Sequence, residues 1–200
     1  MPPTALQDLE AQVRNDLHDN DSGAYRWTDA VIDRHIAKAL ADYSLASPIE
    51  QKSTLTTTAN SRAVSLSTLS NLIDVVSVEY PVDKYPPIKP RFEVWSGSLT
   101  LLVDECPAAT NNVYVFWLKE HSIATNTTVP TRHTALIALG ATAYALLEWA
   151  NYAPNRINVG GEDVWKDYLT WGQDAMKRFI AELAKIDYRR KLRIRQIVPL

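Results

Sequence analysis

The sequence predicts an α+β fold: a four-helix bundle, built from two N-terminal and two C-terminal helices, with an inserted small, mostly antiparallel β-sheet. Three observations predict it. Residues up to about 50 carry two stretches of helical periodicity separated by a turn. The next seventy residues are rich in Ser, Thr and Val with strand-like alternation. Helical patterns return after Pro130. The expected division is 1–50 with 130–188 for the bundle, 51–129 for the β-rich insertion, and 189–200 for a basic, apolar tail.

The first helix is read from TALQDLEAQVRNDLHD, where Leu6, Leu9, Val13 and Leu17 recur at helical spacing. Ser22-Gly23 breaks the chain. The second helix is read from WTDAVIDRHIAKALADYS, with Ile32, Ile36, Leu40 and Tyr43 on one stripe. Thr28 stands where an N-cap belongs, and Asp29 and Asp33 place negative charge near the positive end of the helix dipole. Neither helix carries a catalytic pattern, which suggests a module built to pack against something.

This hairpin carries a resemblance. Trp27-Thr28-Asp29, followed by Ile32, Ile36, Ala39 and Tyr43-Ser44, resembles the opening of head-to-tail adaptor proteins of tailed bacteriophages, also called connector or head-completion proteins. The likeness is clearest over residues 5–47 and extends more loosely to the later helices. The smallest members of that family are little more than a four-helix bundle, so the β-rich insertion is a departure. The resemblance implies a virion protein of the neck, present in the host cytoplasm during assembly. Its expected partners are the portal protein, tail or tail-completion proteins, and further copies of itself in a ring, usually twelvefold. The genome would pass through the ring's lumen without sequence-specific binding.

Pro48 closes the helical pattern. Strands are expected over Thr54 to Ala59, Ala63 to Ser67, and Val75 to Tyr80, where Val76, Val78 and Tyr80 alternate with Ser77 and Glu79. Arg91 to Trp95 and Ser98 to Val103 flank Ser96-Gly97, a tight hairpin turn. Val113 to Leu118 is apolar on both faces, so a central, covered strand is expected. YPVDKYPPIKP holds four prolines, which rule out ladder pairing over most of its length and favour an extended connection.

After Pro130, Thr131 is expected to cap a helix reaching about Asn151. It is apolar nearly all round and rich in small residues, Ala135, Ala138, Gly140, Ala141, Ala143 and Ala145, which lets neighbours approach closely. The last helix is expected from Asp163 to Asp187, with Trp165, Leu169, Met176, Ile180 and Leu183 as its buried stripe. Gly160-Gly161 precede it.

Two hundred residues with 46% hydrophobic content suffice for one domain with a substantial core. The net charge of −2 is unevenly spread. Arg189, Arg190, Lys191, Arg193 and Arg195 crowd the last twelve residues, which leaves the body with 16 basic against 23 acidic residues. The one cysteine, Cys106, fits a reducing compartment. MPPTALQDLE lacks the regions of a signal peptide. The run from Ala135 to Leu147 falls short of the about 20 residues needed to span a bilayer.

No catalytic, metal or cofactor site is expected. His18, His35, His121 and His133 lack metal-ligand spacing. Cys106 sits beside Asp104-Glu105, the wrong field for a nucleophilic thiolate. Asp16, Asp19 and Asp21 lack the later glutamate of a calcium loop. Gly160-Gly161 lack the frame and lysine of a phosphate loop. Enzymatic activity is therefore not expected.

Six tryptophans and nine tyrosines against three phenylalanines suggest partner surfaces, because Trp and Tyr combine apolar area with a polar tip. Trp27, Trp95 and Trp171 are the interface candidates. The tail has three readings: a free basic end, a DNA contact, or a docking segment. Arg189, Arg190, Lys191, Leu192, Arg193, Ile194, Arg195 and Ile197 mix charge with branched apolar residues. That mixture favours docking, with the portal as the partner that the resemblance implies; a DNA-binding or packaging accessory role is the alternative.

Overall fold

The computed structural model describes residues 6–123, 127–152 and 163–193. Its elements are α1 (Leu6–Asp16), α2 (Asp29–Ala46), β1 (Ile49–Thr56), β2 (Ala63–Ser65), β3 (Leu72–Glu79), β4 (Arg91–Trp95), β5 (Ser98–Leu102), β6 (Asn112–Lys119), α3 (Thr131–Tyr152) and α4 (Val164–Arg193). The class is α+β. The chain divides into a helical unit, formed by residues up to Ser47 and from His121 onward, and a β unit from Pro48 to Glu120. Among the described residues no helix is long and apolar enough to cross a membrane.

In the helical unit the apolar spacing does what helical geometry requires. Leu9, Val13 and Leu17 of the first helix and its C-terminal turn are buried with Ile32, Ile36, Ala39 and Tyr43 of α2. All join one core with Ile137, Ala138, Ala141 and Leu146 of α3 and Phe179 of α4. Each buried Val, Leu, Ile or Phe among them contributes roughly 1.5–3 kcal/mol by leaving water. Thr28 has the extended N-cap backbone, and its carbonyl accepts the amide of Ile32 at 3.1 Å, but its side chain makes no cap bond. Thr131 is the first helical residue rather than the cap; the amide of His133 donates to Pro130 O at 2.8 Å.

Two expectations for α4 need correction. Its buried stripe passes through Ala175 and Phe179, with Tyr168, Met176, Leu183 and Ile186 packed against the core. Ile180 is 57% exposed. A one-residue change of register rotates a helical stripe by about 100°, and the Phe179 ring holds more apolar area than Ile180. The helix also continues past Asp187 to Arg193. YRRKLR contains no breaker, and cations are favoured at a helix C-terminus.

The β unit contains two antiparallel sheets, not one. Strand order is β1-β6-β3 in the first and β2-β5-β4 in the second. β6 is central, paired from Ile49↔Lys119 to Thr56↔Asn112 with β1. Val113, Val115 and Trp117 point into a core shared with Val64, Val75, Val78, Leu99 and Leu101. The opposite face of β6 is only half-buried. There the Lys52 ammonium lies 3.5 Å from the Tyr114 ring centroid, and Lys89 reaches Phe116 at 5.8 Å. Lysine stems and cation–π contacts thus cover aromatic surface that the sequence pattern assigned to a buried layer.

The alternation expected in β3 is broken. Register shifts lie between Leu72 and Asp74 and between Val75 and Ser77. Val75 and Val78, three residues apart, are therefore both buried while Val76 is 48% exposed, because the bulge at Val76 puts one extra residue between them. The hairpin at Ser96-Gly97 has φ of 47° and 75° at its two central residues, the type I′ geometry that glycine favours at its second position. The connection from Tyr80 to Pro90 carries no strand and has cis bonds at Tyr80-Pro81 and Tyr85-Pro86.

Candidate interaction surfaces

The α1–α2 turn is built on a buried cation. Arg14, at 6% exposure, donates from Nη1 to Asp19 at 2.9 Å and to the Trp27 carbonyl at 3.0 Å, and from Nη2 to Asp29 at 2.5 Å. Its guanidinium also sits 3.6 Å from the Tyr25 ring centroid. Asp19 in turn accepts the backbone amides of Arg26 at 2.8 Å and Trp27 at 3.2 Å. The network satisfies a buried ion pair and fixes how the chain enters α2.

That entry explains Trp27. Its side chain is 4% exposed and packs on Trp149 with ring centroids 5.7 Å apart. It precedes the N-cap, the position from which an apolar residue packs back onto the first turn of its helix. The expectation of a partner surface at Trp27 is thus corrected: it closes the core of its own unit. Trp171 is 40% exposed and lies beside the His18 ring at 6.3 Å. Trp27 and Trp171 line a recess of about 340 Å³ with His18, Asp19, Arg26 and Tyr168. Arg26 donates to the Tyr168 hydroxyl, and its guanidinium lies 5.1 Å from the Trp149 ring centroid. A cation among aromatic faces is a frequent composition at contact hot spots.

Trp95 belongs to the β unit and is not part of that cluster. It is 84% exposed at the end of β4, next to the tight turn. Tyr85 is 99% exposed in the connection before β4, and sequence pattern gave no sign of it. Of the tail residues, Arg189 is exposed on α4, and Arg190, Lys191, Leu192 and Arg193 lie within that helix. Ile194, Arg195 and Ile197 lie outside the described residues.

Two exposed apolar residues of α4 were not expected: Ile180 and, at 65% exposure, Tyr188. Ile180 was assigned to the core, and Tyr188 closed the segment expected for the bundle. The α2 helix also has an outward face, with Ala30, Ala37 and Ala41 exposed and Leu45 at 64%. Beside it Asp33 meets Glu10 of α1. Burial, a hydrogen bond to Asp33 and the charges of Asp33 and Asp29 push the Glu10 carboxyl up to about 7. Asp33 Oδ1 is buried without a hydrogen-bond partner.

On the α3 side, Glu148 binds Arg34 at 2.5 Å and lies 2.9 Å from His35 Nε2. Burial, with Arg34 and Lys38 nearby, holds the His35 pKa below its ordinary value against the pull of Glu148. Tyr144 donates to Asp42 at 2.5 Å; burial and that bond push its hydroxyl up to about 12. Tyr43 and His133 are joined at 2.7 Å, and burial followed by the Arg132 charge lowers the His133 pKa.

No family model and no curated protein matches the chain. Among solved structures, a chain from the neck of an empty GTA particle computed with C6 symmetry is similar at 14% identity, over 81% of this chain and 87% of that one. The TM-score is 0.29, too low for the likeness to carry an argument.

Proposed function

We propose that this chain is a non-enzymatic structural subunit of a phage-type neck ring, joining the capsid portal to the tail and letting the genome pass. Its four helices would act as one bundle, the scaffold on which the contact surfaces are carried. The observation that carries this reading is the N-terminal hairpin. The residues of the adaptor-like pattern are also the residues that build it: Trp27, Ile32, Ile36, Ala39, Tyr43 and Ser44 are all buried. Asp29 of the same pattern holds Arg14. A pattern that specifies a packing module suits a protein whose work is assembly.

In this reading the basic end of α4, from Arg189 on, docks on an acidic, partly apolar groove of the portal. Repeating one heterologous contact around the portal axis closes a ring. The test is co-sedimentation of the purified chain with purified portal rings, followed by imaging. Bound copies arranged around the portal axis support the proposal, and failure to bind removes it.

A second reading has one observation in its favour. Five basic residues within the last twelve are also suited to phosphate contact, which would make the chain a DNA-binding accessory. Binding of the isolated chain to duplex DNA that weakens steeply with salt would select it.

A further inference from the structure

The β unit carries an aromatic knob, and the helical unit carries a recess of matching scale and opposite charge. The knob is Tyr85, 99% exposed in the connection between β3 and β4 and followed by Pro86 and Pro87. That connection is tied to its own sheet. The Tyr80 amide donates to the Ile88 carbonyl at 3.0 Å, and the Asp83 amide donates to Glu79 Oε1 at 3.0 Å. The Tyr114 hydroxyl donates to the Asp83 carboxylate at 3.2 Å. The two prolines restrict the backbone just beyond the ring. An ordered loop thus holds the tyrosine out in water, and little order remains to be imposed when it meets a partner. The loop has one unengaged charge. Asp83 is held by Tyr114, and Lys89 reaches Phe116 at 5.8 Å, whereas Lys84 has no partner among the described residues.

The hole is the recess walled by His18, Tyr168 and Trp171 with Arg26. At about 340 Å³ it is on the scale of a side chain or two, not of a helix. The Arg26 guanidinium lies between 5.1 and 5.6 Å from the ring centroids of Trp149, Tyr168 and Trp27, so it is already fixed among aromatic faces. A phenol ring entering there meets aromatic walls and a cation for its own π face. The rim is acidic. Asp19 and Asp29 are both held by Arg14, but the exposed Asp21 accepts only the Gly23 amide, at 3.0 Å, and meets no cation among the described residues. Three carboxylates, Asp19, Asp21 and Asp29, stand against two guanidinium groups, Arg14 and Arg26, which leaves an excess of negative charge with Asp21 as its unpaired member.

We propose that Tyr85 of one copy of this chain enters the Tyr168–Trp171 recess of a second copy, with Lys84 meeting that copy's Asp21. Knob and hole are different surfaces of one chain, so the contact is heterologous and repeats from copy to copy. An aromatic anchor in a pocket carries the contact, and the ion pair at the rim fixes its orientation. The inference rests on the neck-ring reading for closure of that series into a ring.

The test uses the full chain with the photoreactive analogue p-benzoylphenylalanine in place of Tyr85, which keeps a para-substituted ring. Isotope-labelled and unlabelled chains are mixed in equal amounts, at high concentration and again on portal rings, and irradiated. The expected products are cross-linked peptides that join position 85 to residues around Asp21 or Trp171 and that include pairs of one labelled and one unlabelled partner. Trp171→Ala should lower their yield about ten-fold, the loss of one anchor. Lys84→Glu should lower it about three-fold, the scale of an exposed ion pair, and adding Asp21→Lys should restore it. Asp21, Lys84 and Trp171 are all exposed, and unchanged melting temperatures verify that the variants fold. The proposal is overturned if no cross-link forms, if every cross-linked peptide carries a single label, if the links map away from the recess, or if the charge swap fails to restore the yield. Portal attachment without mixed-label links would leave the neck reading standing and remove this contact. Mixed-label links without portal attachment would do the reverse.

Discussion

Gly140 of α3 faces Phe179 of α4 so closely that a Cβ on the glycine would lie 2.7 Å from two ring carbons. Ala39 of α2 would be 2.9 Å away on the other side. Three helices therefore converge where one side chain is missing. Phe179 is 1% exposed and has no room to swing aside.

Gly140→Ala gains about 1 kcal/mol of helix propensity and meets an overpacking cost of about 1–3 kcal/mol. The expected net result is a loss of stability, read as a lower urea midpoint. Gly172→Ala serves as the contrast. Its Cβ would stand 3.1 Å from Leu146 and Leu147 side-chain atoms, a mild crowding that the propensity gain offsets. A Gly140→Ala variant as stable as the parent would mean the helices are not this close.

Arg14→Met removes the cation from a buried pair and strands Asp19, whose side chain is 8% exposed. Breaking such a pair costs about 3–5 kcal/mol. Arg14→Met with Asp19→Asn should cost less than the two single losses added together. A double-mutant cycle by chemical denaturation measures that difference, and additive losses would show that the two do not interact.

The pH dependence of Glu10 has a definite sign. Its carboxyl rises from 4.5 to about 7 on folding, so the folded state holds the proton more tightly. This contribution favours the fold below about pH 4.5 and is lost as pH rises toward 7. Glu10→Gln should therefore stabilise the protein at pH 8, by on the order of 1 kcal/mol after discounting for solvent screening, and change little near pH 4.5. His35 and His133, with lowered pKa values, act oppositely by destabilising the fold as pH falls below 6.5. They are present in both proteins, so the difference between the two thermal melting profiles isolates Glu10. A difference that does not vary with pH would sink the assignment.

A chain ending at Asp187 keeps every described residue that packs on the helical core, of which Ile186 is the last. It should melt at nearly the temperature of the full chain and fail to attach to the portal. Arg189→Glu with Arg190→Glu and Arg193→Glu should weaken attachment, as should rising salt for the parent. Undiminished attachment of the shortened chain would contradict the docking role of this end.

The helical hairpin was legible because period and punctuation agree: Leu9, Val13, Ile32 and Ile36 mark two stripes, and Ser22-Gly23 marks the turn. The Ser96-Gly97 hairpin was legible for the same local reason. The pairing of β1 with β6 was not, since it joins Ile49 to Lys119 and nothing in either segment names its partner. The bulges of β3 were invisible too, because an extra residue leaves composition unchanged while turning Val76 outward. In α4, Phe179 and Ile180 offered two stripes that periodicity could not separate, and packing chose the larger ring. Trp27 was read as surface because its type is common at interfaces; its buried place comes from the Arg14–Asp19 network, which spans the α1–α2 turn. The outward stripe of α4 appeared only once the inward one was fixed.

The central claim is that many copies of this chain form the neck ring. Imaging of necks isolated with the portal attached, combined with their mass, tests it most directly. The account predicts multiple copies of this chain around a single axis, continuous with the portal's. A single copy per particle, or the chain's absence from the neck, would contradict it.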